Sequence, residues 1–204
     1  MSPRIEFWYE FASTYSYPAT MRVEPVARAA GVTVEWKPFL LGPIFADRGM
    51  ADSPFNLDHA KGRYMWRDMA RLCEAQGLPL KRPSVFPRNS LLATRVALVG
   101  VDEGWVAPFS RAVFTSNFAR DEDITSAAVL GPLIAEAGGD PAAVLERAVA
   151  PENKARLAAQ VDEARARAIF GAPNCVTDDG ELFWGNDRLE QAVAWAANRA
   201  KEPA

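Results

Sequence analysis

Two hydroxyl side chains three positions apart, Ser13 and Ser16, follow the apolar run Ile5 to Phe11 and precede a helical pattern. A hydroxyl at a helix start can donate a hydrogen bond where unpaired backbone N–H groups and the helix dipole already favour an anion. Such a site supports a thiolate brought by a ligand, and it serves equally as a plain N-cap, since Ser and Thr are preferred there. Near the other end, Trp184-Gly185-Asn186-Asp187-Arg188 combines a flexible backbone, free N–H groups and a carboxylate. Asp187 can accept from an α-ammonium while helix-start N–H groups hold a carboxylate, which suits a zwitterionic ligand; capping by Asn186 or Asp187 and a solvated Arg188 are the ordinary alternatives. Other chemistry lacks material. The two cysteines, Cys73 and Cys175, form no C-x-x-C pair, and with serines at 13 and 16 no thiolate is available there for disulfide exchange. Cys175 reads as a buried strand residue. The single histidine, His59, leaves a metal site or a Ser-His-Asp triad without ligands, so no metal is expected. Arg63, Arg67 and Arg71 share one helix face, usually a solvated one.

The elements that must position these residues follow from periodicity. Ile5, Phe7, Tyr9 and Phe11 alternate with Glu6, Trp8 and Glu10, predicting a strand with one face more deeply buried than the other. A helix over Tyr17 to Ala30 closes at Gly31, and Thr33 to Lys37 alternates again, so residues 4–38 form a strand-helix-strand unit with parallel pairing. Residues 38–54 read as a long connection. From Asp58 a helical period places Tyr64, Met65, Met69, Leu72 and Cys73 on one face up to Gly77, and helical spacing continues near 89–103, 106–119, 125–137, 141–149 and 152–169. Asp178-Asp179-Gly180 then joins two short strands, and a last helix runs from about Asp187 to Arg199. This order, βαβ, helices, ββα, is that of an α/β thioredoxin-like fold with a large all-helical insertion: residues 1–40 and 170–204 form the thioredoxin-like part, and 41–169 the connecting loop and inserted helices. In that frame Ser13 and Ser16 take the reactive place between first strand and first helix. Ala172-Pro173 takes the place of a cis-proline, whose preceding backbone can pair with an extended peptide.

Composition narrows the class. The chain has 204 residues, 23 Lys+Arg against 26 Asp+Glu and a formal charge of −3, which lacks the electrostatic footprint of nucleic-acid binding and disfavours anionic membrane surfaces. Glu6 and Glu10 interrupt any signal-peptide core, and no apolar run is long enough to span a bilayer; the expectation is a cytoplasmic protein.

Read together, F-W-Y-E-F-A-S-T-Y-S-Y-P, P-F-L-L-G-P-I-F, A-K-G-R-Y-M-W-R-D, F-G-A-P and L-F-W-G-N-D-R-L-E resemble, in this order and over residues 4–200, the 2-hydroxychromene-2-carboxylate isomerase and kappa-class glutathione transferase family. The resemblance implies a DsbA-like fold, a homodimer and glutathione as cofactor. It assigns Ser13 to the glutathione sulfur, Ala172 and the cis-proline Pro173 to its cysteinyl part, and Trp184, Gly185, Asn186 and Asp187, with Arg188 beside them, to its γ-glutamyl end. Asn56, Lys61 and Phe86 correspond to residues lining the substrate cleft. There are two departures: Ala46-Asp47-Arg48 stands where many relatives have a lysine facing the substrate carboxylate, and Thr14 stands where proline is common. The implied activity is glutathione-dependent cis–trans isomerisation of a small aromatic acid, catalysed by a thiolate that Ser13 stabilises. Transferase or peroxidase chemistry on another electrophile, and a thiol-binding module without turnover, remain the alternatives.

Overall fold

The computed structural model describes residues 2–199; residue 1 and residues 200–204, at the ends of the expected 1–40 and 170–204 segments, lie outside the described residues. Strand β1 (Arg4–Tyr9) leads through a turn into helix α1 (Ser16–Ala29), and β2 (Thr33–Pro38) returns parallel to β1 with Phe7 opposite Trp36. The far end of the chain completes the sheet. Strand β3 (Asn174–Thr177) pairs antiparallel with β1, β4 (Leu182–Trp184) pairs with β3, and the order is β2-β1-β3-β4.

A central strand is covered on both faces when both its neighbours and both its layers are filled, and β1 meets that condition. Its alternation divides its side chains between two cores. Ile5, Phe7 and Tyr9 join Tyr17, Val23 and Phe114 on one side, whereas Trp8 joins Phe39, Leu98, Leu157 and Ile169 on the other. The pattern predicts one face more deeply buried than the other; in the structure both are buried, and Trp8 is fully covered. Glu6 lies on the same face as Trp8 and is satisfied there, accepting from Trp8 Nε1 at 2.9 Å and from Arg167 Nη2 at 2.9 Å.

The stretch expected to be a long connection contains one short helix, α2 (Gly42–Asp47), and a second, α3 (Pro54–Leu57), begins at its last residue. In each, proline occupies a first-turn position, where its missing N–H costs nothing, so the prolines start these helices instead of breaking the chain. Helix α4 (His59–Gln76) begins at Asp58, whose carboxylate accepts from the N–H groups of Ala60 and Lys61, and ends at Gly77 with φ +64°. Its buried stripe is Met65, Met69 and Cys73, spaced by four; Tyr64 falls one position off that stripe and is exposed, contrary to expectation. Helices α5 (Leu91–Glu103), α6 (Val106–Thr115), α7 (Ala127–Ala137), α8 (Pro141–Val149) and α9 (Pro151–Ala166) follow the expected segments closely, and α10 (Leu189–Arg199) closes the fold after a 3-10 turn at Asn186–Arg188. The helical segments share the sheet's main core through Val96, Phe109 and Leu130. None of the helices among the described residues is long and apolar enough to cross a membrane.

At Ser116–Arg120 the chain widens into a π-helical turn. Asn117 is buried within it and reaches two places at once: its Nδ2 donates to the carbonyl of Phe11 at 3.0 Å, and its Oδ1 accepts from Arg88 Nη1 at 3.0 Å. The widened turn thereby ties the segment just after β1 to the helical part.

Gly62 anchors α4 against α3, because a Cβ there would lie 2.1 Å from the Phe55 carbonyl oxygen. Gly62→Ala should lower stability by about 1–3 kcal/mol despite its better helix propensity, since backbone must move. Gly131→Ala in α7, which would meet only Pro141 Cβ at 3.9 Å, should instead stabilise by about 0.4–1 kcal/mol. Urea unfolding of both variants checks this contrast; equal midpoints would contradict it.

Candidate active site

The chain leaves β1 at Glu10 and turns at once. Ser13 N–H donates to the Glu10 carbonyl at 2.9 Å, so Glu10 and Ser13 are the two ends of one tight turn at the C-terminal end of the central strand. Ser13 Oγ donates to the Ala172 carbonyl at 2.9 Å and accepts from the Ser16 N–H at 3.3 Å. It therefore bridges the start of α1 to the segment before β3. The Ala172–Pro173 peptide is cis, as expected; Phe86–Pro87 is cis as well, which was not expected. Thr14 is buried, with its hydroxyl 2.9 Å from Met65 Sδ, and Ser16 Oγ is buried with no hydrogen-bond partner.

These elements border a cavity of about 800 Å³. Ser13, Lys61, Phe86, Ala172 and Trp184 lie on its wall together with Arg48. Trp184 is half exposed and packs on Phe170 with ring centroids 4.9 Å apart; a side chain at Gly171 would collide with its indole nitrogen at 2.5 Å. Phe86 packs edge-on against Trp66 at 5.0 Å. Two of the cations on the wall lie over aromatic rings, Arg48 over Phe170 at 5.8 Å and Lys61 over Phe55 at 5.8 Å. Asp47, next to Arg48, is turned away into an ion pair with Arg165 at 2.7 Å.

Other residues singled out in the sequence are placed differently. Asn56 is absent from the wall: its Nδ2 donates to Asp52 and to the Phe86 carbonyl, both at 3.0 Å, which ties the α3 turn to the Phe86 loop. Pro173, Gly185, Asn186, Asp187 and Arg188 are also off the wall. The Gly185 N–H, at φ +112°, donates to the Pro173 carbonyl at 2.9 Å, which holds the turn beside the cis peptide. Asn186 is buried and its Oδ1 accepts from Arg22 Nε at 3.0 Å, so this amide oxygen fastens α1 to the last helix. Asp187 and Arg188 are exposed, with Arg188 Nε 3.9 Å from Asp187. The exposed His59 begins α4 on the surface, and Arg63, Arg67 and Arg71 are solvated. Burial pushes the Cys73 thiol up to about 11 and the Cys175 thiol up to about 12, so neither is a ready thiolate. Among the described residues no cluster of His, Cys, Asp or Glu could hold a metal ion.

The model of the DSBA-like thioredoxin domain matches residues 4–194. The chain belongs to this family. Within it, the chain is 26% identical over 191 residues to a 2-hydroxychromene-2-carboxylate isomerase of Sphingobium xenophagum, covering 93% of this chain and 96% of that protein. It is 25% identical over 200 residues to glutathione S-transferase kappa 1 of Caenorhabditis elegans, covering 92% and 88% respectively. A solved structure of a 2-hydroxychromene-2-carboxylate isomerase superposes with a TM-score of 0.86 at 22% identity over 97% of this chain and 96% of that one, a likeness of fold.

In this DSBA-like chain the cavity wall also carries a buried carboxyl. Glu10 was read only as a polar strand residue, yet its side chain lies on the cavity wall and is almost fully buried. Its Oε1 accepts from the Ala12 N–H at 3.1 Å and from the Ser90 hydroxyl. Burial pushes the carboxyl up to about 7, against the opposing pull of those two hydrogen bonds. One signal was available: a carboxylate at the C-terminal end of a strand, where open α/β sheets bind ligands. Ser90 and Arg88, also on the wall, carried none, because they come from the loop before α5. Arg88 is buried and held by Asp121, Ser84 and Asn117.

A carboxyl whose folded pKa is raised binds its proton more tightly folded than unfolded. Its relative stability is full below about pH 4 and falls as pH rises through its folded value. Glu10→Gln should therefore match wild type near pH 4 and become more stable than wild type by about 3 kcal/mol above pH 8. Urea midpoints across that range test this, and parallel profiles would refute it.

Proposed function

We propose that the chain is a glutathione-dependent cis–trans isomerase acting on small aromatic acids of the 2-hydroxychromene-2-carboxylate type, as a cytoplasmic homodimer. The observation that carries the reading is the placement of Ser13: a hydroxyl at the start of α1, on the wall of a cavity of about 800 Å³, hydrogen-bonded to the backbone beside a cis-proline. The names of the curated relatives support the reaction class.

The residues present fit a thiol tripeptide and an aromatic acid. The cavity is within the usual range for small-molecule sites, mostly apolar, and rimmed by Arg48 and Lys61, which can meet carboxylates. When bound, glutathione supplies a thiolate that adds reversibly to a conjugated double bond, allowing rotation about what is then a single bond. Ser13 holds that sulfur. To do so its hydroxyl turns from the Ala172 carbonyl toward the anion, while the Ser13 oxygen goes on accepting from the N–H of Ser16. The freed Ala172 carbonyl is then available to pair with the peptide N–H of the ligand. Gly171 lets Trp184 close the wall, and Phe170 and Phe86 bound the aromatic side. Arg48 takes the role that a lysine has in many relatives, already lying over the Phe170 ring at 5.8 Å. Trp184 and the turn Gly185 to Arg188 stand at the γ-glutamyl end, with Asp187 exposed to accept an ammonium.

The kappa-class relative and the Arg48 exchange favour, as a second reading, transfer of glutathione to a different electrophile. Product analysis separates the two, because isomerisation consumes no thiol and transfer yields a conjugate. Isothermal titration tests the shared step. Wild type should bind glutathione with a depressed thiol pKa. Ser13→Ala should weaken glutathione at least about tenfold at neutral pH, and lower turnover about 10²–10³-fold, as removal of one donor to a catalytic anion does. S-methylglutathione, which has no thiolate, should bind both proteins alike. Absence of glutathione binding by wild type would overturn the reading.

A further inference from the structure

The five ionisable groups on the cavity wall other than Glu10 each have a partner. Arg88 is paired with Asp121, Tyr15 donates to Asp68 at 3.0 Å, Asp52 accepts from Asn56 at 3.0 Å, and Arg48 and Lys61 lie over Phe170 and Phe55. Glu10 differs. It stands at the other end of the tight turn from Ser13, which places the two α-carbons within about 7 Å of each other, and only its Oε1 is hydrogen-bonded, to Ala12 N–H and Ser90 Oγ. Its Oε2 has no hydrogen-bond partner among the described residues, and no charged group contributes to its titration. A buried carboxyl free of ion pairs, fixed by one oxygen and open through the other to a cavity, has the form of a proton carrier.

We infer that Glu10 is the catalytic proton carrier of this cavity, taking the proton from a thiol bound at Ser13 and returning it when the thiol leaves; this rests on the thiol-dependent reading above. The steps balance. The S–H bond breaks with its electron pair left on sulfur and its proton passed to Glu10 Oε2. As the C–S bond forms, the pair of the conjugated double bond moves to the substrate's carbonyl oxygen, which takes the proton from Glu10. After rotation Glu10 recovers that proton, the C–S bond breaks, and the departing thiolate is reprotonated from Glu10. No electron is gained or lost overall and the carboxylate is regenerated. Burial supports the assignment by placing the carboxyl's titration near neutrality, where transfer in both directions is easy. Ser90 is a positioning residue whose hydroxyl holds Oε1 and favours the ionised form.

Glu10→Gln tests this with two readouts. Isothermal titration of glutathione at pH 7.5 in buffers of different ionisation enthalpy counts protons released, and absorbance near 240 nm reports thiolate. Wild type should form thiolate while releasing fewer protons than thiolates formed. Glu10→Gln should either release one proton for every thiolate formed or fail to form thiolate, while binding S-methylglutathione as wild type does. Its turnover should fall about 10²–10³-fold, with the acid limb near neutrality gone from the pH–rate profile. Ser90→Ala, which leaves the carboxyl in place, should shift that limb to higher pH and so tests the assignment if the Gln variant does not fold. Glutathione binding with the same proton count and pH profile in wild type and Glu10→Gln would overturn the assignment of Glu10 alone. No glutathione binding by wild type would overturn this inference together with the reading beneath it.

Discussion

A strand buried on both faces must satisfy every polar group it carries, and β1 is such a strand. Its backbone is paired on both edges, by β2 and β3, and its apolar side chains are divided between two cores. The two carboxylates on the Trp8 face are then constraints that the rest of the molecule has to meet. Glu6 is met by the Trp8 indole and Arg167. Glu10, at the strand's end, is met by Ala12 and Ser90, and only through one oxygen. An unpaired buried charge is costly, so Glu10 keeps its proton to higher pH than an exposed carboxylate would.

The same economy of groups governs the turn beyond it. Ser13 is at once the end of the β1 turn, a cap for the Ser16 N–H and a donor to Ala172. With Ser16 in place of a second thiol and both cysteines buried elsewhere, the site has no redox partner of its own. What it presents to the cavity is a hydroxyl at a helix start, hydrogen-bonded to a backbone carbonyl. Phe170, Trp184 and Phe86 border that space, Arg88 on the wall is tied to Asn117, and Asn56 ties the α3 turn to the Phe86 carbonyl from off the wall. Two residues that the resemblance assigns to ligand contact also tie segments together, Asn186 through Arg22 and Asn56 through Phe86.

Much of the fold was legible in the chain because its signals are local. Period-two alternation marked β1 and β2, Asp178-Asp179-Gly180 marked the hairpin, and glycine and proline punctuation marked the helices from α4 to α9 to within a few residues. Gly42-Pro43 and Pro54 sit in a stretch whose Gly, Pro and small polar residues read as loop, although proline at a first turn starts a helix. Tyr64 was drawn into the buried stripe because an apolar side chain fits the pattern even where the neighbouring element is missing. The π-helical turn at Ser116–Arg120 had no signal at all, since it is held by Asn117 contacts to Phe11 and Arg88, distant in the chain.

The sequence by itself determined the order of elements, the hydroxyl at the start of α1, the proline before β3 and the absence of a dithiol, because each depends on residue type and short-range spacing. Whether a hydroxyl, a carboxylate or an amide faces a ligand or another part of the protein depends on which distant segments meet it. Ser13 and Ala172 are brought together only by β3 pairing with β1, and Asn186 is taken up by Arg22 only because α1 packs beside the last turn. Glu10 reads in the chain as one more polar residue of an alternating strand. Tertiary structure decided otherwise, because burial and the lack of an opposing charge are properties of everything packed around it.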